Sequence, residues 1–327
     1  MKENILVTGG AGYIGSQNCK ELYKNNFHPI TFDNLSTGRK DFVKWGELIQ
    51  EDLKDFQKID EAIKKYKPKA VMHFAANALV AESIKDPQKY YENNVLATLN
   101  LLKAMLKNSV KYLIFSSSCA TYGMPKFSPI IESHPQDPIS AYGRTKYMIE
   151  QILKDYEKAY DFNYVSLRYF NAAGADLEAE VGENRDEETH LIPLAIDTAL
   201  KKIDKLNVYG FDYDTKDGTA IRDYIHIQDL ASAHLKALFY LFSTNRSVEL
   251  NLGSDNGYSI LEIIDEIEKH TNTKIDVKRC SKREGDPAIL FANSSKAKKI
   301  LGWKAQNSDL KTIITSAIKW HKKKNLL

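Results

Sequence analysis

Cysteine is scarce in this 327-residue chain: Cys19, Cys119 and Cys280 are the whole set, and no two stand at a metal-ligand spacing. That excludes a disulfide scaffold and suits a reducing compartment. No stretch approaches the roughly 20 apolar residues that a membrane span needs. No signal peptide is expected either, because the first residues lead directly into the strand-like Asn4-Ile5-Leu6-Val7. The expectation is a cytoplasmic protein with no membrane partner. Charge of one sign is not in excess either. The net charge of +3 gives no push towards nucleic acid, and Lys322, Lys323 and Lys324 read as a solvated tail. Low-complexity segments and fixed-period repeats are absent. What is present, 43% hydrophobic and 27% charged residues, is the balance of an ordinary globular protein long enough for two domains or lobes.

The first half alternates short apolar runs (5–8, 29–32, 70–74, 112–116, 164–167) with segments of helical period (13–25, 59–65, 90–107, 142–159). This rhythm predicts an α/β fold, a doubly wound parallel sheet covered on both faces. After Asn171 it loosens. Residues 176–190 are acidic and read as a long surface loop. Helices near 192–202, 228–242 and 259–270 and strands near 206–209 and 248–252 suit a smaller mixed α/β lobe. The expected division is 1–172 and 173–327, with some later segments returning to the main sheet.

Gly9, Gly12 and Gly15 stand three apart between the first strand and the first helix. Such a turn must bend sharply, admit a pyrophosphate to the backbone and pack a helix on the sheet. The helix N-terminus then offers free N–H groups to phosphate. Asp33 ends the second strand, 18 residues after Gly15, where an acid binds the adenosine ribose diol and repels a 2′-phosphate. That points to NAD in a Rossmann-type domain; a turn with Asn34 is the plainer explanation of Asp33. Asp52 could contact adenine or cap a helix. Ala75 and Ala76 after strand four let the backbone approach a cofactor, whereas His73 reads as core.

Tyr142 and Lys146 stand four apart at a helix start, on one face. A phenol with a pKa near 10 is a poor base at neutral pH; a nearby ammonium and a positive nicotinamide ring would lower it. Ser118, at the end of strand five and 24 residues earlier, can hydrogen-bond a reacting hydroxyl and relay its proton. A polar strand end is the alternative for Ser118.

Together these residues resemble the extended short-chain dehydrogenase/reductase family. The wider text, 9–16 (GGAGYIGS), 33–35, 73–76, 90–94, 115–118 with Tyr122-Gly123, 167–171 (LRYFN), 218–229 (GTAIRDYIHIQD) and 283–286 (REGD), resembles the UDP-glucose/UDP-galactose 4-epimerases nearly from end to end. The resemblance implies a hydride shuttle on a UDP-sugar with NAD retained between cycles. It implies cofactor contacts from Gly9, Gly12, Tyr13, Ile14, Gly15, Asp33, Asn34, Ser36, Asp52, Leu53, Phe74, Ala75, Ala76, Asn93, Tyr142, Lys146 and Tyr169. It implies substrate contacts from Ser118, Tyr142, Asn171, His190, Leu191, Val208, Tyr209, Arg222, Arg283, Asp286 and Leu290. Arginines suit phosphate because a guanidinium binds it bidentately; surface salt bridges are the alternative. It also implies a homodimer through the helices near 90–107 and 142–159.

Gln17, Asn18, Ala78 and His190 depart from the family pattern. Leu290 stands where family members carry a bulky tyrosine beside the sugar 2-substituent, so an N-acetyl group is expected to fit; plain core is the alternative. A UDP-pentose epimerase, a sugar 4,6-dehydratase and a net oxidoreductase are the rival enzymes. The dehydratase needs an Asp-Glu pair where Cys119-Ala120 stand. A non-enzymatic binding relative is disfavoured by intact Ser118, Tyr142 and Lys146.

Overall fold

The computed structural model describes residues 2–283 and 285–324, so Glu284 of the 283–286 motif lies outside the described residues. The first half runs β1 (Glu3–Thr8), α1 (Tyr13–Lys24), β2 (Phe27–Phe32), β3 (Glu47–Ile49), α2 (Phe56–Tyr66), β4 (Ala70–His73), α3 (Val80–Lys85), α4 (Pro87–Tyr90), α5 (Ala97–Lys107), β5 (Tyr112–Ser118), α6 (Ala141–Ala159) and β6 (Asn163–Tyr169). The second runs β7 (Asn171–Ala173), α7 (Leu191–Ala199), β8 (Leu206–Tyr209), β9 (Ile221–Arg222), β10 (Tyr224–His226), α8 (Ile227–Thr244), β11 (Val248–Leu252), β12 (Tyr258–Ser259), α9 (Ile260–Thr271), β13 (Val277–Cys280), β14 (Ile289–Leu290), α10 (Ser295–Leu301) and α11 (Leu310–Lys324).

Seven parallel strands form the main sheet in the order β11-β6-β5-β4-β1-β2-β3. Alternation within each strand feeds two cores. Ile5, Val7, Met72 and Ile114 pack with Leu230, Ala233 and Leu238 of α8. Leu6, Val71, Leu113 and Phe115 pack with Ile59 and Ile63 of α2, Leu101 and Met105 of α5, and Ile149 and Leu153 of α6. The chain winds outward from β1 to β3 and then restarts at β4 on the other side. That reversal opens a crevice at the carboxyl ends of β1 and β4, where ligands bind in such sheets.

β11 and α8 come from beyond residue 172 yet complete the main sheet and its core. A third core gathers Ile192, Ile196, Leu206, Val208, Ile263, Ile267, Ile313, Ile314 and Ile318 around α7, α9 and α11. The short sheets β12-β9-β14 and β13-β8 belong to this side. Among the described residues, no helix is long and apolar enough to cross a membrane.

Three expectations need correcting. Residues 90–107 are not one helix: α4 passes through a π-helical turn, Tyr91–Leu96, into α5, and such bulges re-aim side chains. Lys322 and Lys323 are exposed as expected, but with Lys324 they form the last turn of α11 rather than a tail, and Ile313, Ile314, Ile318 and Trp320 of that helix are buried; basic residues there complement the helix dipole. The acidic segment 176–190 is not wholly surface. Asp176 is buried against Lys20 of α1 at 2.8 Å, and Glu183 is buried beneath Trp320, whose indole N–H donates to the Glu183 carbonyl oxygen at 2.8 Å.

Candidate active site

Two positions, Gly9 in the β1–α1 turn and Gly15 in the first turn of α1, leave room only for glycine. A Cβ on Gly15 would lie 2.1 Å from the Gly9 carbonyl oxygen, and one on Gly9, at φ +72°, 2.6 Å from the Ala75 nitrogen. Gly12 precedes α1 with no side-chain cap, so the helix N-terminus faces a cleft of about 660 Å³ with its donors free. Tyr13, Ile14 and Gly15 line the same cleft.

Asp33 is almost fully buried and accepts hydrogen bonds from the Ala11 nitrogen at 3.0 Å and the Leu35 nitrogen at 2.9 Å. Burial raises its pKa and the two amide donors oppose that. Asn34 donates to Asp52 at 2.9 Å, and Ser36 and Leu53 complete this end of the cleft. Phe74, Ala75, Ala76 and Asn93 line its middle. His73 is core: its ring nitrogens bond the Thr8 and Thr98 hydroxyls at 2.6 and 2.8 Å, and burial lowers its pKa to about 3. A glycine-rich backbone turn, a free helix N-terminus and a carboxylate at the end of β2 together fit NAD. A 2′-phosphate would meet the Asp33 charge.

At the far wall, Ser118 ends β5 while Tyr142 and Lys146 project from the first turns of α6. Ser140 caps α6 by accepting from the Gly143 nitrogen at 3.1 Å. Gly143 lets the helix approach the turn after β5, since a Cβ there would meet the Ala120 oxygen at 2.4 Å. The Lys146 ammonium donates to the Ser116 oxygen at 2.7 Å and lies 6.0 Å from the Tyr142 ring centre. Burial pushes the Tyr142 phenol up to about 12; the Ser118 hydroxyl pulls it back, as does Arg185. Burial also pulls Lys146 down to about 7. In the polypeptide alone burial is the largest influence on the phenol; the lowering expected from the ammonium together with a nicotinamide ring concerns the NAD-bound protein.

Beneath this wall lies a buried network that sequence reasoning missed. Glu150 accepts two bonds from Arg168, at 2.9 and 2.7 Å, and others from Ser117, Ser166 and Gln136. Arg168 continues to Tyr122, and Tyr122 to Asn251 of β11. Asn94, also missed, ties Asn77 to Thr145 of α6. Glu183 and Arg185 were a further omission: both line the cleft, and the Glu183 carboxylate accepts from Arg185 at 3.0 Å and faces His190 at 2.6 Å. No local spacing signals Glu150 or Asn94, because Arg168 and Thr145 lie 18 and 51 residues away; Glu183, Arg185 and His190 are near in sequence but sit in a segment whose acidic composition reads as loop.

Of the expected substrate residues, Asn171, His190, Leu191 and Arg283 line the cleft, as does Tyr169. Asn171 donates to the Asp223 oxygen at 2.8 Å. Arg222, Asp286, Tyr209, Val208 and Leu290 do not line its wall. Arg222 pairs with Asp286, and the Arg283 guanidinium sits 4.1 Å from the Tyr209 ring centre, forming a second polar group beside the cleft. The Val208 side chain is corrected to core, turned among Leu206, Ile196 and Ile263. Leu290 packs half-buried with Tyr122, Ile130, Phe170 and Ala292, and Cys119 of the same cluster lines the cleft. A separate open groove of about 720 Å³ lies where α8 leads towards β11, lined mainly by Phe239, Tyr240, Phe242, Ile300 and Leu301.

Residues 5–253 match the model of the NAD dependent epimerase/dehydratase family. The chain is 50% identical to the UDP-glucose 4-epimerase of Rhizobium meliloti (strain 1021), covering 98% of each. The structure of UDP-glucose 4-epimerase from Brucella ovis in complex with NAD superposes with a TM-score of 0.95 at 48% identity, over 97% of this chain and 98% of that one. The UDP-Glc/GlcNAc 4-epimerase from Campylobacter jejuni is similar at a TM-score of 0.86 and 40% identity, over 98% and 99%. With the glycine turn, the buried acid and the Ser–Tyr–Lys wall all in one cleft, the chain belongs to the NAD dependent epimerase/dehydratase family.

Proposed function

We propose that this protein inverts C4 of a UDP-sugar, interconverting UDP-glucose and UDP-galactose. The observation that carries the reading is the convergence of Ser118, Tyr142 and Lys146 on one side of a cleft that also holds the glycine turn and Asp33. NAD, when bound, supplies the hydride acceptor and donor and a positively charged ring. Tyr142 takes the proton of the sugar 4-hydroxyl as C4 loses its hydride, and gives a proton back when hydride returns to the opposite face of the ketose. Ser118 holds the hydroxyl and the phenol together. Lys146, fixed on the Ser116 carbonyl, places its donors against the tyrosine wall. Asn171, His190, Leu191, Arg222, Arg283 and Asp286 hold the nucleotide diphosphate and sugar, with Val208 and Tyr209 contributing backbone or ring surface.

A dehydratase would need an acid and a base beside Ser118. The thiol there, Cys119, is pushed up to about 12 by burial and cannot serve at neutral pH. The substrate range extends to UDP-GlcNAc/UDP-GalNAc in this reading, because the aliphatic Leu290, in the same apolar cluster as the cleft-lining Cys119, stands in place of a larger ring. The Campylobacter jejuni relative is named for that dual range. We place the protein in the cytoplasm on its three free thiols. A homodimer is supported by exposed Leu96, Leu99 and Met148 on the 91–107 and 141–159 helical segments.

The test is product analysis of UDP-Glc, UDP-Gal, UDP-GlcNAc, UDP-GalNAc and UDP-pentoses, each incubated with pure protein and no added cofactor. Epimers without net oxidation are expected. No conversion of any UDP-hexose would reject the activity, and UDP-Glc turnover without UDP-GlcNAc turnover would reject the wider range.

A further inference from the structure

Among the described residues, five lysines and arginines line the cleft, and the fold already engages four of them. Lys146 rests on the Ser116 oxygen, Lys89 pairs with Glu82 at 2.6 Å, Arg39 stands between Asp41 and Asp186 at 3.6 Å each, and Arg283 lies on the Tyr209 ring. Arg185 differs. Its Nε donates to the Glu183 carboxylate at 3.0 Å, while Nη1 and Nη2 meet no acceptor among the described residues. Glu183 is a firm seat: buried, it faces His190 at 2.6 Å through the same oxygen, and its backbone oxygen accepts from the Trp320 indole at 2.8 Å. Burial pushes its carboxyl up, but His190 and Arg185 prevail and hold it below the usual glutamate range, so it stays ionised. A guanidinium fixed by one nitrogen offers the other two as a fork that fits phosphate oxygens.

Two contacts carry this segment to the glycine turn. The Arg39 nitrogen bonds the Ala11 oxygen of that turn at 2.9 Å, and its guanidinium reaches Asp186, the residue after Arg185, at 3.6 Å. The hydroxyl of Tyr13, the first residue of α1, donates at 2.5 Å to the Gly174 oxygen, where the chain leaves β7 for the segment. Burial raises the Tyr13 and Tyr142 phenols and the Arg185 charge opposes it in both, which agrees with a cation between the α1 N-terminus and the catalytic wall.

We propose that Arg185 binds the diphosphate of NAD from the side facing the α1 N-terminus, with Glu183 as its positioning residue. The inference rests on the dinucleotide site described above and adds to it a cation from beyond β7 that the glycine motif does not indicate. The diphosphate is then held by backbone N–H groups on one side and a guanidinium on the other.

The experiment follows NAD release from the purified holoenzyme into excess ethanol and alcohol dehydrogenase, read as NADH absorbance, with UDP titrated calorimetrically into each protein. Arg185→Gln is expected to release NAD at least about tenfold faster than the parent, and Arg185→Lys by an intermediate factor. Asp186→Asn, which loses only an exposed ion pair, stays within about threefold. The Kd for UDP keeps its parent value in Arg185→Gln. Release at the parent rate from Arg185→Gln overturns the inference. Equally fast release from Asp186→Asn also overturns it, because the seating of the segment and not the guanidinium then retains NAD. A raised Kd for UDP with unaltered NAD release assigns Arg185 to the substrate and overturns it too. Where Arg185→Gln does not fold, Arg185→Lys carries the test, and release at the parent rate is again the overturning result. A parent protein that carries no NAD would end the inference together with the dinucleotide reading.

Discussion

The two ends of the cleft are built on different principles. At the dinucleotide end the contacts are backbone and short side chains at the ends of β1, β2 and β4; the fold already partners Asp33 with two amides and Asn34 with Asp52, and leaves the α1 N–H groups for phosphate. Beside the other end, and outside its wall except for Arg283, the polar groups ride on two- and three-stranded sheets and loops. Arg222 and Asp286 hold each other, Arg283 rests on a ring, and the Tyr213 hydroxyl has no partner. A cofactor retained through the cycle suits a site satisfied by the fold, with little to rearrange. A substrate that enters and leaves suits long side chains that exchange an internal partner for a phosphate. The catalytic wall stands between the two and leans on the rigid side, through Glu150 and Arg168.

The largest effect should come from that wall. Tyr142→Phe is expected to lower kcat by about 10²- to 10⁴-fold with NAD content and Tm little changed; activity near the parent level would remove the phenol from the chemistry. Next is Glu150→Ala, which strands the buried Arg168 charge and should cost about 3–5 kcal/mol in denaturant unfolding. Burial pushes the Glu150 carboxyl up, but Arg168 and the serine and glutamine donors prevail and hold it below the usual glutamate range. Its contribution is thus complete above the unfolded value of about 4.3 and disappears as pH falls through the lower folded value. Parent melts should steepen in their pH dependence below about 4.3, and those of the variant should not.

Gly15→Ala probes the dinucleotide end. Its Cβ would meet backbone atoms of Gly9 and Gly10 that cannot yield, so a loss of at least about 1–3 kcal/mol and release of NAD during purification are expected. Full NAD occupancy in that variant would mean that the turn is less rigid than the packing indicates. The smallest effect belongs to Leu290→Tyr, which should lower kcat/KM for UDP-GlcNAc relative to UDP-Glc by about tenfold. An unchanged ratio would return Leu290 to plain core.

Legibility followed chain distance. The glycine turn, Asp33 and the Tyr142–Lys146 pair are each set within one strand–turn–helix unit, so spacing alone located them. The turn Tyr91–Leu96 escaped because a single π-helical turn between two α-helical stretches is too short to break the apolar pattern around it. Glu150 escaped because on its own helix it is one more acid; its meaning comes from Arg168 on β6. The segment 176–190 looked like solvated loop by composition, and Lys20 and Trp320, far away in the chain, bury part of it.

Local chemistry in the chain sufficed to specify the parallel α/β architecture, the dinucleotide turn and the phenol–amine pair, because each depends on residues a few positions apart. Tertiary packing alone decided that β11 and α8 return to the main sheet, that the Val208 side chain serves the core, and that Arg222 meets Asp286. It also decided how deeply the catalytic groups are buried. Spacing placed the amine beside the phenol, but how much water is removed around Tyr142 and Lys146, which raises the one and lowers the other, is a property of the assembled fold.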